Sequence, residues 1–528
     1  MLFDAASPAS PLSVEADVCI VGSGPAGMSL ANELRTKYAN VVILEGGQDT
    51  YDENSQSLYA AERSPTHFPD PMHSRLRFLG GTSNHWDNST MPLSPIDFEK
   101  RDWVPNSGWP IAFSDISKYY DKAGQYCGVD ADGYDLAHWR AQTGIVTPLQ
   151  NASFLVTRVA KSARPPTRFY AKHGEALHQS GRVSVYKNAN VIDLLFDPAK
   201  RRVRELMFTT DGQRQHRVSA AVFVLCMGGL ENARMLLVFN EKYTNQLGNQ
   251  GDNVGRYFME HPTVKPAAVL GSNEAVGSGL SMDRQTKNVT FVHEYAEKVL
   301  REHRIVNGKL VFFNASQYDL SDGISSFHIL KERLIKGQLP DEAFLHLSNL
   351  IRDFDMVAEA ISRKSFSKNI FTHADQLGGA GVHIMMEQTP DRNNRIRLGS
   401  QRDRLGVKKL VVDWKLGTKD IDMMWAGLML LGREIGAMSL GRLRLLKEQS
   451  QRLFGDQMSF GLHHMGTTRM ATTPSSGVTD SDQRVFGTEN LYVAGSSVFV
   501  TGGHVAPTLS IVALSLRLAD HLKARGLS

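Results

Sequence analysis

The chain has 528 residues, with 59 lysines and arginines against 55 aspartates and glutamates, for a formal net charge of +4. So even a balance supplies no field to gather polyanions, which removes nucleic acid from the expected partners. Hydrophobic residues at 41% and charged residues at 22% are ordinary for a globular chain, and this length calls for two or three domains rather than one core. The most apolar stretch, Met423 to Gly432, is well short of the roughly 20 residues of a membrane span and reads as a buried helix. Cys19, Cys127 and Cys226 have no CxxC spacing, which fits a reducing compartment. The N-terminal residues show neither a basic n-region nor an apolar h-region, so a cytoplasmic location is expected.

In chain order, the apolar run Asp17 to Val21 predicts a buried parallel strand, and the turn GSGPAG follows at Gly22 to Gly27. Helical spacing comes next, and a second strand, VVILE, ends in Glu45 and is followed by Gly46. This is GxGxxG in its strand, turn, helix, strand and acid context. Gly22 permits the tight turn, Gly24 lets backbone approach a pyrophosphate, and Gly27 lets helix and strand pack closely, with Pro25 and Ala26 between them. Glu45 is placed to accept ribose hydroxyls. The motif by itself leaves NAD and FAD both open.

Tyr51 to His73 is rich in Pro, Ser and His and has little periodicity. It reads either as an access route to the cofactor or as irregular surface packing. LGGTSNHWDN, Leu79 to Asn88, is on composition an exposed loop. Trp103, Trp109, Tyr119 and Tyr120 could offer aromatic surface to a sugar, although such residues are more often structural. Asn188 to Asp197, VRELMF and AAVFVLCMGG predict further strands of the nucleotide-binding unit. Between about 243 and 451, VNGKLVFFN, GVHIMMEQ and KKLVVDWKL predict strands of an antiparallel sheet, with a helix over DIDMMWAGLMLLGREIGAM.

Near the C terminus stands FGLHHMGTTRM, Phe460 to Met470, with His463 and His464 adjacent. Neighbours on an extended strand point to opposite faces, and no HExxH or cysteine-rich companion accompanies them, so no metal site is expected. Two readings remain from the residues alone: packed core histidines, or a base for proton transfer. The final motif, NLYVAGSSVFVTGGHVAPTLS, carries Gly495, Ser496, His504, Val505, Ala506, Pro507 and Thr508, with Pro507 placed to open a buried helix.

Taken together, the dinucleotide turn, LGGTSNHWDN, VLCMGGLENARMLL, HHMGTTRM and the final motif resemble, in this order, the glucose-methanol-choline (GMC) flavoprotein oxidoreductases. In motif style the chain is similar to the pyranose oxidase and bacterial sugar dehydrogenase branches. The resemblance implies α/β plus α+β architecture: a discontinuous Rossmann-like FAD-binding domain, 12–242 and 452–528, with a loop insertion at about 51–180 covering the flavin. A substrate-binding domain, 243–451, is built on a mostly antiparallel sheet.

It further implies FAD as cofactor and oxidation of a hydroxyl of a sugar, glycoside or other alcohol by hydride transfer to flavin N5. Gly80 and Gly81 would lie against the isoalloxazine, with Thr82, Asn84, His85 and Trp86 around it. Val191 would meet the adenine through its backbone, and Gly228, Gly495, Ser496, Val505, Ala506 and Thr508 would approach the dinucleotide or ring. Some members link FAD covalently through a histidine placed like His85; non-covalent binding is the expectation here.

His463 coincides with the family's catalytic base, which leaves His464 a packing role. The second catalytic position is generally His or Asn, and many relatives read GHxNPTL where this chain reads GHVAPTL. Ala506 offers no side-chain hydrogen bond, so His504 is the expected partner, the alternatives being a group from elsewhere in the chain, the substrate itself, a water or a backbone group. Other readings of the same motifs are a redox-neutral lyase, a specialised biosynthetic oxidation, or an FAD-binding protein without alcohol oxidation. Oxygen, a quinone or a redox protein would accept the electrons, and an oligomer is compatible with the sequence.

Overall fold

The computed structural model describes residues 1–528 apart from 8–9, 63–67, 131, 145–148, 150, 271–287, 315–321, 336–339, 341–342, 356, 359–378, 448–449, 456 and 528. The chain begins with β1 (Leu2–Asp4), β2 (Ser13–Val21), α1 (Pro25–Leu34) and β3 (Val41–Leu44). Then come β4 (Leu155–Lys161), β5 (Val183–Lys187), β6 (Asn190–Asp197), β7 (Arg202–Thr209), β8 (Gln215–Leu225) and α2 (Gly228–Tyr243). The next strands are β9 (Pro262–Leu270), β10 (Val289–Tyr295), β11 (Gly308–Asn314), β12 (Gly379–Met386), β13 (Arg395–Arg402) and β14 (Lys408–Asp413). After α3 (Thr418–Ala437), β15 (Arg442–Leu445), β16 (Ser459–Phe460) and β17 (Leu491–Val493), the chain ends in α4 (Thr508–Arg525).

The first sheet has the order β1-β5-β3-β2-β8-β7-β6, with β17 also on β8. Strands from β1 to β8 along this order are parallel, and β7 and β6 extend it antiparallel. Val18, Cys19, Ile20 and Val21 are all buried, because β2 is covered on both faces and only an unbroken apolar run satisfies such a strand. One covering layer is α1 against α4, where Tyr38 donates its hydroxyl to Leu522 O at 2.6 Å.

The second sheet, β15-β9-β12-β11-β10-β4 with β16 on β9, is antiparallel throughout. Leu310, Phe312, Ile384 and Met386 enter one core with Met424, Leu428 and Leu431 of α3. With period two, the intervening Lys309 and Met385 emerge on the opposite face. β11 and β12 correspond to the predicted VNGKLVFFN and GVHIMMEQ strands.

Two arrangements differ from the expectation. β14, from KKLVVDWKL, pairs only with β13 and not with the large antiparallel sheet, because Leu410, Val412 and Trp414 form a separate cluster with Phe68 and Phe258. β4 lies in the segment expected to serve the nucleotide-binding half, yet it pairs with β10 of the second sheet. Tyr51 to His73 holds short helical turns at Glu53–Gln56, Ser57–Tyr59 and Pro71–His73, while 63–67 lie outside the described residues. Among the described residues, no helix is long and apolar enough to cross a membrane.

The βαβ turn is as tight as its glycines suggest. Gly22 has φ +106°, and a Cβ on Gly27 would stand 2.0 Å from Gly22 O. Gly27→Ala should therefore push α1 off β2 and cost about 1–3 kcal/mol, as overpacking does. A lowered unfolding midpoint in urea or heat checks this; an unchanged midpoint would mean that the close contact is not present.

Candidate active site

A cavity of about 520 Å³ is walled by the loops at the C-terminal ends of β2, β3 and β8, by Gly461 to His464, and by Val505 to Thr508. The second sheet contributes Ala160, Lys309 and Met385. At one end lie Gly22, Gly24, Pro25, Ala26, Glu45 and Gly46. A Cβ added to Gly24 or to Gly228 (φ +84°) would meet no atom within 4 Å, so backbone at both turns is open to a ligand. Glu45 is buried and fixed: Ser23 donates its N–H (3.0 Å) and hydroxyl (2.6 Å) to Oε2, and Gly47 donates its N–H to Oε1 (2.8 Å). Oε2 already accepts two hydrogen bonds, and Oε1 keeps a lone pair for a ribose hydroxyl.

Tyr59, Arg75 and Arg77 complete this end, a contribution the sequence reading missed. Arg75 is paired with Glu231 at 3.1 Å, and Arg77 donates to Asn190 Oδ1 at 2.6 Å. Val191 also lies on the wall. Arg234, bonded to Glu231 at 2.6 Å, and then Arg75 and Arg77 hold its carboxyl down at about 2 despite its burial.

Gly81, Thr82, His85 and Trp86 line the middle of the cavity, with Gly495 and Ser496. Gly80 and Asn84 do not. Gly80 (φ +91°) donates its N–H to Ser23 Oγ at 3.1 Å, and the Asn84 amide donates to Leu79 O and Gly81 O, both at 2.9 Å. Both hold the loop closed on itself. Gly27 is likewise off the wall, its place set by helix–strand packing.

His463 stands at the far end, on a segment seated against α2: a Cβ on Gly229 would lie 2.1 Å from His464 O, and Thr467 donates its hydroxyl to Gly229 O. The His463 N–H donates to Glu260 Oε1 at 2.6 Å, and the His261 N–H donates to the same oxygen at 2.8 Å. The two rings meet edge to face, 83° apart, with Nδ1 to Nδ1 at 2.9 Å. His261 Nε2 faces the backbone of Gly502 and is buried without a hydrogen-bond partner among the described residues. One Nδ1 must donate and the other accept, and where His261 Nδ1 accepts, His463 Nε2 is left as the basic nitrogen.

Burial, and then the neighbouring His261, His464 and Lys309, hold His463 well below the ordinary imidazole range. His261 is lowered to about 4, chiefly by burial. Burial pushes Glu260 up to about 7, with the two backbone N–H groups opposing it. His464 contributes to the wall, but its ring packs against Phe68 and Phe258, and burial lowers it to about 3.

His504 departs from its expected place. It is fully buried, absent from the cavity wall, and its Nε2 lies 2.8 Å from Glu294 Oε2. Gly503 (φ +54°) turns the chain so that His504 meets carboxylates while Val505 and Ala506 take the cavity side. Beyond His504 lie Arg158, bonded to Glu294 at 3.3 Å, and Asp97, raised to about 6 by burial and by Glu387. Glu387 in turn accepts from Arg101 Nη1 at 3.0 Å, both side chains being wholly buried.

Glu260, His261 and Lys309 were also missed. His261 and His463 are 202 positions apart, and MEHP carries no spacing that distinguishes it from ordinary strand sequence. Among the described residues, no group of three or more His, Cys, Asp or Glu is arranged to hold a metal ion.

A family model described as GMC oxidoreductase matches residues 390–515, and one described as FAD binding domain matches 15–65. The chain is 22% identical to 2-methyl-1,2-propanediol dehydrogenase of Mycolicibacterium austroafricanum, over 97% of this chain and 96% of that protein. It is also 22% identical to the fructose dehydrogenase large subunit of Gluconobacter japonicus, over 96% and 98%. Paromamine 6'-oxidase of Streptomyces fradiae is 21% identical over 95% and 90%. In fold, the chain is similar to a formate oxidase of Aspergillus oryzae RIB40, with TM-score 0.56 and 15% identity over 98% and 99% of the two chains. Pyridoxine 4-oxidase from Mesorbium loti gives TM-score 0.55 and 14% identity over 96% and 99%.

The Arg101 and Glu387 pair behind the site generates a stability test. Arg101→Met would leave Glu387 buried without its counter-charge, at a cost of roughly 3–5 kcal/mol. Denaturant unfolding of the variant should show this loss, and an unchanged midpoint would mean that the carboxylate is compensated elsewhere.

Proposed function

Because the chain belongs to the GMC oxidoreductases, we propose that it oxidises a hydroxyl of a sugar, glycoside or other alcohol to a carbonyl, with His463 as the base. The observation that carries this reading is the His463 imidazole on the cavity wall, held below its ordinary range by burial and in 2.9 Å contact with His261. The relatives named as dehydrogenases of a diol and of fructose, and as an oxidase of paromamine, support hydroxyl groups as the point of attack.

The open turns at Gly24 and Gly228 and the fixed Glu45 suit a dinucleotide, as the FAD-binding match requires. Gly22, Gly24, Pro25, Ala26, Glu45, Gly46 and Val191 would hold its adenosine and phosphate part. Gly81, Thr82, His85, Trp86, Gly495, Ser496, Val505, Ala506 and Thr508 would surround the flavin part. When bound, FAD accepts at N5 the hydride that leaves the carbinol carbon.

His463 Nε2 takes the hydroxyl proton as that hydride departs. His261 Nδ1, accepting from His463 Nδ1, keeps the ring in the basic tautomer and stabilises the positive charge it gains. His504 acts through the loop, by anchoring Gly502 and Gly503 to Glu294, and is a positioning residue in this reading. Val505 and Ala506 present apolar surface that keeps water from the reacting carbon. The cofactor-binding part comprises 12–242 and 452–528 and the substrate-facing part 243–451, with β4 crossing to the sheet of the latter, as its pairing with β10 supports.

Anaerobic mixing of the holoenzyme with alcohols and sugars, followed by flavin absorbance, tests the reaction. His463→Ala should slow bleaching by about a hundred- to ten-thousandfold, the usual contribution of a positioned base. A base works deprotonated, and burial holds His463 below its ordinary value of 6.5, so the acid limb of the reduction rate should fall below pH 6.5. A variant that bleaches at the wild-type rate, or an acid limb above 6.5, would reject His463 as the base. His85 lies on the wall without serving as a link in this reading, so acid or urea denaturation should release the yellow colour from the polypeptide.

A further inference from the structure

Lys309 is the feature of the cavity that the proton-transfer scheme does not use. It lies on β11 directly opposite Met385 of β12, and both side chains leave the sheet on the face that walls the cavity. Arg75 and Arg77, the arginines on the same wall, are committed to Glu231 and Asn190 at the Glu45 end. Lys309 bonds to no described residue.

Its nearest acidic neighbour, Asp87, sits on the rim beyond ion-pair distance, exposed, with Oδ1 accepting the Ser89 N–H at 2.9 Å. Farther along the same face, His383 is paired with Val311 and Lys265 stands over the Phe313 ring at 5.0 Å. Neither supplies a counter-charge. Lys309 is partly exposed on the cavity wall, and an ammonium held there without a described partner is favoured when a ligand brings the anion.

We propose that Lys309 binds a carboxylate carried by the alcohol substrate, so that this chain oxidises hydroxyl-bearing acids such as uronates, aldonates or other hydroxy acids. This rests on the alcohol-oxidising reading of the site and narrows its substrate class. Lys309 stands near enough to His463 to depress its proton affinity, so one small molecule spans both groups, its hydroxyl on His463 and its carboxylate on Lys309. A single ammonium, with the guanidinium groups of the wall engaged elsewhere, matches one negative charge better than a phosphate dianion.

The experiment compares acid and neutral members of matched pairs, D-glucuronate with D-glucose and glycerate with glycerol, by anaerobic flavin reduction in wild type, Lys309→Met and Lys309→Arg holoenzyme. Wild type should favour the acid member, and Lys309→Met should lower the acid-to-neutral ratio of kcat/KM by about ten- to a hundredfold, the usual worth of a charge-assisted hydrogen bond. Lys309→Arg should keep most of the ratio. A ratio that favours the neutral member in wild type, or that Lys309→Met leaves in place, overturns the proposal.

Calorimetric titration of the same acids into the holoenzyme separates this from failure of the oxidation itself. Binding of at least one acid that Lys309→Met weakens tenfold or more supports the carboxylate subsite even where no alcohol bleaches the flavin. No binding of any acid, or equal binding to both proteins, overturns it.

Discussion

A neutral imidazole has one donor and one acceptor, so the 2.9 Å contact between Nδ1 of His261 and Nδ1 of His463 couples the two rings: one must donate and the other accept. Where His261 accepts, His463 spends its proton on that contact and keeps a lone pair at Nε2. Glu260 makes the contact possible by accepting both backbone N–H groups on one oxygen, which brings the strand after residue 259 and the strand before residue 465 into register.

The same loop that receives His261 also turns His504 away from the cavity. Its imidazole meets Glu294 in a buried region that already holds Asp97, Arg101, Arg158 and Glu387. Such a concentration of charge is retained only where each member has a counterpart, because the desolvation cost of an unpaired ion exceeds what ordinary packing returns. Ala506 on the opposite side of the turn is therefore one half of an exchange: apolar surface faces the cavity, and the polar side chain serves the interior.

Much of the cofactor half was legible from short-range pattern. Asp17 to Val21 had to be a covered strand because it lacks polar alternation, and Gly22 and Gly27 announced a tight turn whose dimensions leave no room for Cβ atoms. β11 and β12 were visible as strands for the same kind of reason. The destination of KKLVVDWKL was not, since β14 alternates as well as its neighbours and only its packing with Phe68 and Phe258 separates it. Gly80 and Asn84 illustrate a finer limit: a loop motif names the residues near a ligand, but which of them turn inward to close the loop depends on Ser23, 57 positions from Gly80.

Backbone permissiveness and apolar periodicity are local properties, written into neighbouring residues, and they carried the βαβ unit and the strands β11 and β12. The contact of His463 with His261, the removal of His504 from the cavity and the lack of a described ion-pair partner for Lys309 are relations between groups up to some 200 residues apart. Hydrogen-bond donors and charges act over a few ångströms of space without regard to chain distance, so those relations came into being only when the two sheets closed over the cavity.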